Sequence, residues 1–148
     1  MKIGIIGKGF VGSAVQFGFS PNVGCDADVK VYDKDINKST HSLDEVVNDS
    51  EYVFISVPTP ASNDGKINLD ILDNCLREID SVSTRSETIF LLRSTIVPGS
   101  SRNFQNAYPN LKLVFNPEFL TERSANYDFI NQTRIILGGS IENTNKVA

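Results

Sequence analysis

Gly7-Lys8-Gly9-Phe10-Val11-Gly12 carries the spacing that lets a backbone turn sharply and approach a pyrophosphate with no side chain in the way. The apolar run Lys2 to Ile6 before it reads as a strand and the stretch Phe10 to Phe19 after it as a helix. Gly9 is the position of closest approach, and the helix start presents unpaired N–H groups and the positive end of its dipole to the phosphates. Such a glycine pattern alone also fits a tight structural turn. Here strand, glycines, helix and a second strand occur in order, which points to a dinucleotide. Asp33 closes the second strand in Val31-Tyr32-Asp33. There a carboxylate can accept both adenosine ribose hydroxyls and repel a 2′-phosphate, so the expected cofactor is NAD. Lys34 beside it pulls weakly the other way, and an Asp that merely favours a turn is the alternative.

Other reactive side chains are few. Cys25 and Cys75 lie far apart, form no CxxC pair and have no neighbouring His, so they read as free thiols of a reducing, cytoplasmic compartment, with no metal site. The single histidine, His41, sits among Ser39, Thr40 and Ser42 in a polar loop, where a solvated or capping role suffices. The chain carries a net charge of -4 with no basic cluster, which argues against nucleic acid. Gly7 and Gly9 interrupt the apolar start before it could form a signal segment or a membrane span.

Strand-like runs alternate with helical ones along all 148 residues, the order that βαβ crossovers impose on a parallel sheet. Six strands are expected: Lys2 to Ile6, Val29 to Tyr32, Tyr52 to Val57, Thr88 to Leu92, Leu111 to Phe115 and Arg134 to Leu137. Most are continuously apolar, as strands covered on both faces are. Helices are expected over Phe10 to Phe19 and Leu69 to Ile79, with shorter ones at Leu43 to Asn48 and Ser100 to Ala107. The fold class is therefore α/β, a Rossmann-type doubly wound six-stranded parallel sheet with helices on both faces. Pro58, Pro60, Pro98 and Pro117 fall at or after strand ends, which gathers their loops at the carboxyl edge where ligands bind. Residues 1–148 read as one nucleotide-binding domain. Ile141 to Ala148 looks like a helix just beginning, so a fold cut short is expected.

Three of those loops carry further motifs: Val57-Pro58-Thr59-Pro60, Arg93-Ser94-Thr95-Ile96-Val97-Pro98-Gly99, and Asn116-Pro117-Glu118-Phe119-Leu120-Thr121-Glu122. With the glycine loop, Asp128 and Arg134-Ile135-Ile136-Leu137-Gly138, they resemble the UDP-glucose/GDP-mannose 6-dehydrogenase family over essentially the whole chain. The resemblance implies oxidation of the C6 alcohol of a nucleotide sugar to a carboxylate, of the UDP-glucose to UDP-glucuronate type, with two NAD in succession and a thioester on a cysteine. It places Val57, Pro58 and Thr59 against the cofactor with Phe10, Val11, Lys34 and Ser94. Thr95 resembles the threonine that positions a water near the nicotinamide. Glu122 resembles the carboxylate that works with that water beside the cofactor, and Glu118 a second functional acid. Glu118, Phe119, Leu120 and Glu122 resemble the stretch along the substrate's sugar.

Turn or N-cap hydroxyls are the plain alternative for Thr59 and Ser94, and solvated carboxylates for the two acids. The four-residue spacing of Glu118 and Glu122 would put both on one helical face, but Pro117 favours a loop. Thr121 and Arg123 depart from the family pattern, which touches substrate contacts more than cofactor contacts.

The family's nucleophilic cysteine lies in a Gly-rich carboxyl-terminal domain, and its catalytic lysine and asparagine in the central region. Neither appears in this sequence, and neither Cys25 nor Cys75 has the electropositive surroundings of an activated thiol. The chain is therefore expected to be inactive alone. It is either the cofactor half of such an enzyme, dimeric when complete or joined by a partner that supplies the missing domain, or a standalone NAD-binding module that senses or binds a partner.

Overall fold

The computed structural model describes residues 1–148 throughout. Five parallel strands form one sheet: β1 (Lys2–Ile6), β2 (Asp28–Tyr32), β3 (Tyr52–Ile55), β4 (Ile89–Leu92) and β5 (Lys112–Phe115), in the order β2-β1-β3-β4-β5. Consecutive strands in space run parallel, so each connection must cross over a face of the sheet, and helices make those crossings. The four crossings are α1 (Phe10–Gly18), α2 (Leu43–Asp49), α3 (Asp70–Val82) and α4 (Ser100–Ala107), while α5 (Ala125–Ile130) and α6 (Ile141–Val147) follow the last strand.

Period-two alternation divides the strand side chains between two cores. Ile6, Val53, Ile55, Phe90 and Leu92 face α2, α3 and α4, meeting Val46 and Val47, then Leu72, Leu76 and Ile79, then Phe104. Ile3, Ile5, Val31, Phe54 and Leu91 face the opposite way onto Val15 of α1, with Phe129 of α5 and Val147 of α6 packed behind. The Ser42 hydroxyl accepts from the Glu45 N–H while the Glu45 carboxylate accepts from the Ser42 N–H, which starts α2 on register under β1. Only a glycine fits below it: a Cβ at Gly4 would lie 2.9 Å from a Val46 methyl and 2.8 Å from the Ser50 hydroxyl.

Five strands form, not the six expected. Arg134 to Leu137 does not pair along β5, because the free edge of β5 already has partners. The Gln105 side-chain amide donates to the Leu111 carbonyl at 2.7 Å and accepts from the Leu113 N–H at 3.1 Å, as a neighbouring peptide group would. Beyond it Phe115 and Gly138 exchange both backbone bonds in one antiparallel bridge. A second difference is α5, which follows a 3₁₀ turn at Glu122–Ser124 in a stretch with no helical apolar stripe.

Core packing sets the first expectation. Leu76 is fully buried on α3 in the cluster that packs on the strands, whereas Ile36 is 81% exposed. Leu76→Ala should lower unfolding stability by about 2–5 kcal/mol and Ile36→Ala by no more than about 0.5 kcal/mol, read from urea midpoints. Similar losses at both positions would contradict this division of the core.

Candidate functional site

Neighbours on the two sides of β1 run to opposite sides of the sheet, and between β1 and β3 the carboxyl-end loops part to leave a crevice. The glycine loop forms its floor, and each glycine is needed for a separate reason. Gly7 has φ +89°, and a Cβ there would sit 2.6 Å from the Ser56 carbonyl oxygen. At Gly12 a Cβ would lie 2.0 Å from the Gly7 carbonyl oxygen, so α1 can rest on the end of β1 only without a side chain. Gly9 has nothing within 4 Å of its would-be Cβ: it borders open space, as a position of ligand approach must. The first-turn N–H groups of Phe10, Val11 and Gly12 have no backbone acceptor and point out of the start of α1.

Asp33, at the end of β2, is tied to this loop by a bond the sequence does not advertise. One carboxylate oxygen accepts the Lys8 N–H at 2.6 Å and the other the Asp35 N–H at 2.9 Å. Burial pushes this carboxyl up, but the Asp35 and Lys8 N–H groups and the Lys38 and Lys8 charges outweigh it and hold it below the ordinary 3.8. Each oxygen keeps a second lone pair with which a ribose hydroxyl could bond.

The crevice has two halves that share Gly9, Ser56, Val57 and Pro58. One, of about 400 Å³, is lined by Gly7, Asp33 and Lys34 together with Lys38, Ile71, Cys75 and Glu78. The last four were not foreseen, because they come from a 3₁₀ turn after β2 and from the outward edge of α3. The other half, of about 260 Å³, gathers Phe10, Val11, Thr59, Arg93, Ser94, Thr95 and Glu118. Its rim is braced by the Thr59 hydroxyl donating to the Thr95 carbonyl at 2.8 Å and the Ser94 hydroxyl donating to the Val57 carbonyl at 2.6 Å. Both hydroxyls thus satisfy backbone, while the residues still line the cleft.

Arg93 opens one of the three loop motifs, yet the motif gives it no role of its own. It is 3% exposed at the end of β4, with one Nη donating to the Asn116 side-chain carbonyl at 2.6 Å. Its guanidinium lies 5.5 Å from the Phe129 ring centre and 6.0 Å from that of Phe54. Burial lowers its pKa to about 10, with Glu118 opposing the fall. The one sequence signal was a charge placed directly after the apolar run Ile89-Phe90-Leu91-Leu92.

The two acids separate. Glu118 shares a half-cleft with Thr95, and its Oε2 accepts the Leu120 N–H at 2.6 Å. Residues 116–121 form a loop, as Pro117 suggests. Glu122 is exposed, opens the 3₁₀ turn and lines neither half of the cleft, because Asp128 accepts from the Thr121 N–H and the Ser124 hydroxyl and folds this stretch onto α5. Phe119 and Leu120 line a separate hollow of about 240 Å³ with Tyr127 and Arg134. Phe119 is 55% exposed, so its side chain does not pack into the core.

Cys75 is buried against the first half-cleft, where burial and, to a lesser degree, Glu78 push its thiol up to about 12, so it is no thiolate nucleophile at neutral pH. No group of three or more His, Cys, Asp or Glu side chains is placed to hold a metal. A more voluminous hollow, about 580 Å³, lies beside β5 between α4 and α6. It is remote from the glycine loop, and size alone does not outweigh the free N–H groups and carboxylate that converge on the crevice. No helix is long and apolar enough to cross a membrane.

The depressed Asp33 pKa has a consequence for stability. The contribution of its two backbone bonds is complete above the unfolded value of about 4 and is lost as pH falls through the lower folded value. The stability gap between wild type and Asp33→Asn, followed by urea unfolding from pH 7 down to pH 3, should therefore narrow below about pH 4. A gap that stays constant over that range would mean the carboxylate charge does not hold the loop.

Comparison with known proteins identifies the family. The family model described as the UDP-glucose/GDP-mannose dehydrogenase family, NAD binding domain, matches residues 30–148. An uncharacterized protein of Methanocaldococcus jannaschii is 32% identical over 98% of this chain and 19% of its own length. The UDP-glucose 6-dehydrogenase AglM of Haloferax volcanii is 26% identical over 96% of this chain and 42% of its own length. Both alignments span nearly all of this chain, which itself spans less than half of each relative. Among solved structures, a GDP-mannose dehydrogenase from Pseudomonas aeruginosa shares the fold with a TM-score of 0.84 at 23% identity, over 99% of this chain and 43% of that one. The chain belongs to the UDP-glucose/GDP-mannose dehydrogenase family and constitutes its NAD-binding domain.

Proposed function

We infer that this chain is the cofactor half of a nucleotide-sugar 6-dehydrogenase that oxidises the C6 alcohol of a UDP-glucose-type substrate to the carboxylate. The observation that carries the reading is the pairing, across one crevice, of the free first-turn N–H groups of α1 with the Asp33 carboxylate. A dinucleotide fits that pairing, with its pyrophosphate over Gly9, Phe10 and Val11, its adenosine ribose at Asp33 and its nicotinamide beside Thr95 and Glu118. Bound NAD supplies the hydride acceptor.

The residues of the chain do the rest of its share. Val57, Pro58 and Thr59 wall the crevice at the switch point, and Lys34 and Lys38 flank Asp33 without forming ion pairs of their own. Thr95 and Glu118 stand where a water or hydroxyl over the nicotinamide would be oriented and deprotonated. Glu122, Phe119 and Leu120 line neither half of the crevice, and their part in holding the sugar rests on the family resemblance alone. The thiol that would carry the thioester, and the wall that closes over the substrate, are contributed from outside residues 1–148, by the remainder of a dimeric enzyme or by a partner. Two unpaired cysteines are in keeping with a cytoplasmic protein.

Calorimetry should show NAD(H) bound in preference to NADP(H), since Asp33 opposes a 2′-phosphate. Loss of a hydrogen bond to a charged group is worth about 1.5–3 kcal/mol, so Asp33→Ala should weaken NAD by roughly one to two orders of magnitude. Gly9→Val should abolish binding yet leave the unfolding midpoint nearly unchanged, because its side chain enters space that only the ligand uses. Equal affinity for both cofactors, or normal NAD binding by Gly9→Val, would overturn this assignment of the crevice.

Turnover is expected to be absent from the chain alone. With NAD and UDP-glucose, absorbance at 340 nm should stay flat until a fragment bearing the Gly-rich cysteine segment is added, since residues that act as a unit fail together. NADH formation by the chain alone, removed by Cys25→Ser or Cys75→Ser, would contradict the division of labour and favour another chemistry.

A further inference from the structure

Arg93 presents an unbalanced account. A guanidinium 3% exposed is taken out of water, yet it has one hydrogen-bond partner, the Asn116 side-chain carbonyl. Its Nε and second Nη have none. Those two nitrogens form the side-on edge of the guanidinium, the pair that matches a carboxylate with two parallel bonds. The rings of Phe54 and Phe129 stabilise the charge but accept no conventional bond from that edge. Leaving a buried charge so poorly matched is costly, and a nearby carboxylate would offset the cost.

One carboxylate lines the same half-cleft, outside ion-pair distance but close enough to act on the Arg93 charge. Among the residues lining the second half-cleft, contributed by α1 and by the loops after β1, β3, β4 and β5, Arg93 and Glu118 are the only charged ones. Glu118 is held through Oε2 by its own loop at the Leu120 N–H, and its Oε1 has no hydrogen bond. The other charges around this region are committed or belong elsewhere. Asp128 on α5 accepts from Thr121 and Ser124, Arg134 lies over the Phe119 ring at 5.3 Å, and Lys8, Lys34 and Lys38 surround Asp33 in the other half.

We propose that Arg93 is a positioning residue: its free side-on edge is the counter-charge for Glu118, holding that carboxylate ionised and turned into the half-cleft beside Thr95. The consequence rests on the function proposed above. A base that takes a proton from water or an alcohol over the nicotinamide must arrive deprotonated, and in a cleft that a cofactor and substrate dry out, a carboxylate would otherwise gain a proton. Arg93 opposes that, and filling the cleft strengthens the pair because the local dielectric falls.

The test is titration by NMR of the whole 148-residue chain, with 13C-labelled glutamate carboxyls and 15N-labelled arginine. The Glu118 midpoint should rise by about one pH unit in Arg93→Met, a tenfold change in proton affinity, and should stay near the wild-type value in Arg93→Lys. Because Arg93→Met could fail to fold, the same pair is read in the wild type: the Arg93 Nε–H resonance should titrate with the Glu118 midpoint, and this inflection should vanish in Glu118→Gln. Added NAD should move the wild-type Glu118 midpoint downward. A Glu118 midpoint unmoved in folded Arg93→Met, or an Arg93 Nε–H resonance flat across the Glu118 titration, would overturn the pairing. Absence of any NAD effect, with the cofactor-free coupling intact, would count against the cofactor reading and leave the pair standing.

Discussion

Between Gly12 and the Gly7 carbonyl there is no room for a side chain, and the rest of the molecule is arranged around that approach. It lets α1 begin directly at the end of β1, so the unpaired N–H groups of its first turn open into the crevice and not into solvent at large. Gly7 can make the turn because glycine tolerates its positive φ, and a Cβ there would also meet the Ser56 carbonyl just past β3. The Lys8 N–H, left between these contacts, is taken by Asp33, which fixes the end of β2 to the same loop. Loop, helix start and carboxylate are thus one unit held by backbone contacts, preformed before any ligand arrives. That is the condition under which binding loses least to ordering.

The sheet explains why these parts meet where they do. All strands point the same way, so every loop that follows a strand emerges at one edge, and the reversal of winding at β1 and β3 keeps two of those loops apart. Charge is then sorted along the opening. Lys34 and Lys38 line one half with Asp33 and Glu78, and the other half holds one buried arginine and one glutamate. Cys75, which could have been mistaken for chemistry, is neutralised by burial in the wall of α3.

Most of the central fold is legible in the sequence because its signals are local: β1 and α4 fall at the expected residues, and the glycine spacing states its own geometry. What the sequence leaves hidden is what distant residues do. Arg134 to Leu137 has the composition of a strand, but whether it pairs depends on the β5 edge, and Gln105 lies about thirty residues away, where no pattern links the two. Glu122 matches a motif, yet its placement follows from Asp128 capping a turn that has no apolar periodicity. Asp33 was read for its ligand role while its bond to Lys8 went unseen, since both roles ask for the same side chain. Arg93 opens a loop motif that gives it no role of its own; only the packing of Phe54 and Phe129 over it shows a buried charge.

The central claim is that the crevice between β1 and β3, and no other hollow, takes the dinucleotide along its length. A titration of the 15N-labelled chain with NAD, followed amide by amide, tests it most directly. The account predicts saturable shifts at Gly9, Phe10 and Val11, at Asp33 and Lys34, and at Thr59 and Thr95, while Arg102, Ser140 and Asn143 around the larger hollow beside β5 stay in place. Shifts concentrated at Arg102, Ser140 and Asn143, with the glycine loop unmoved, would contradict it.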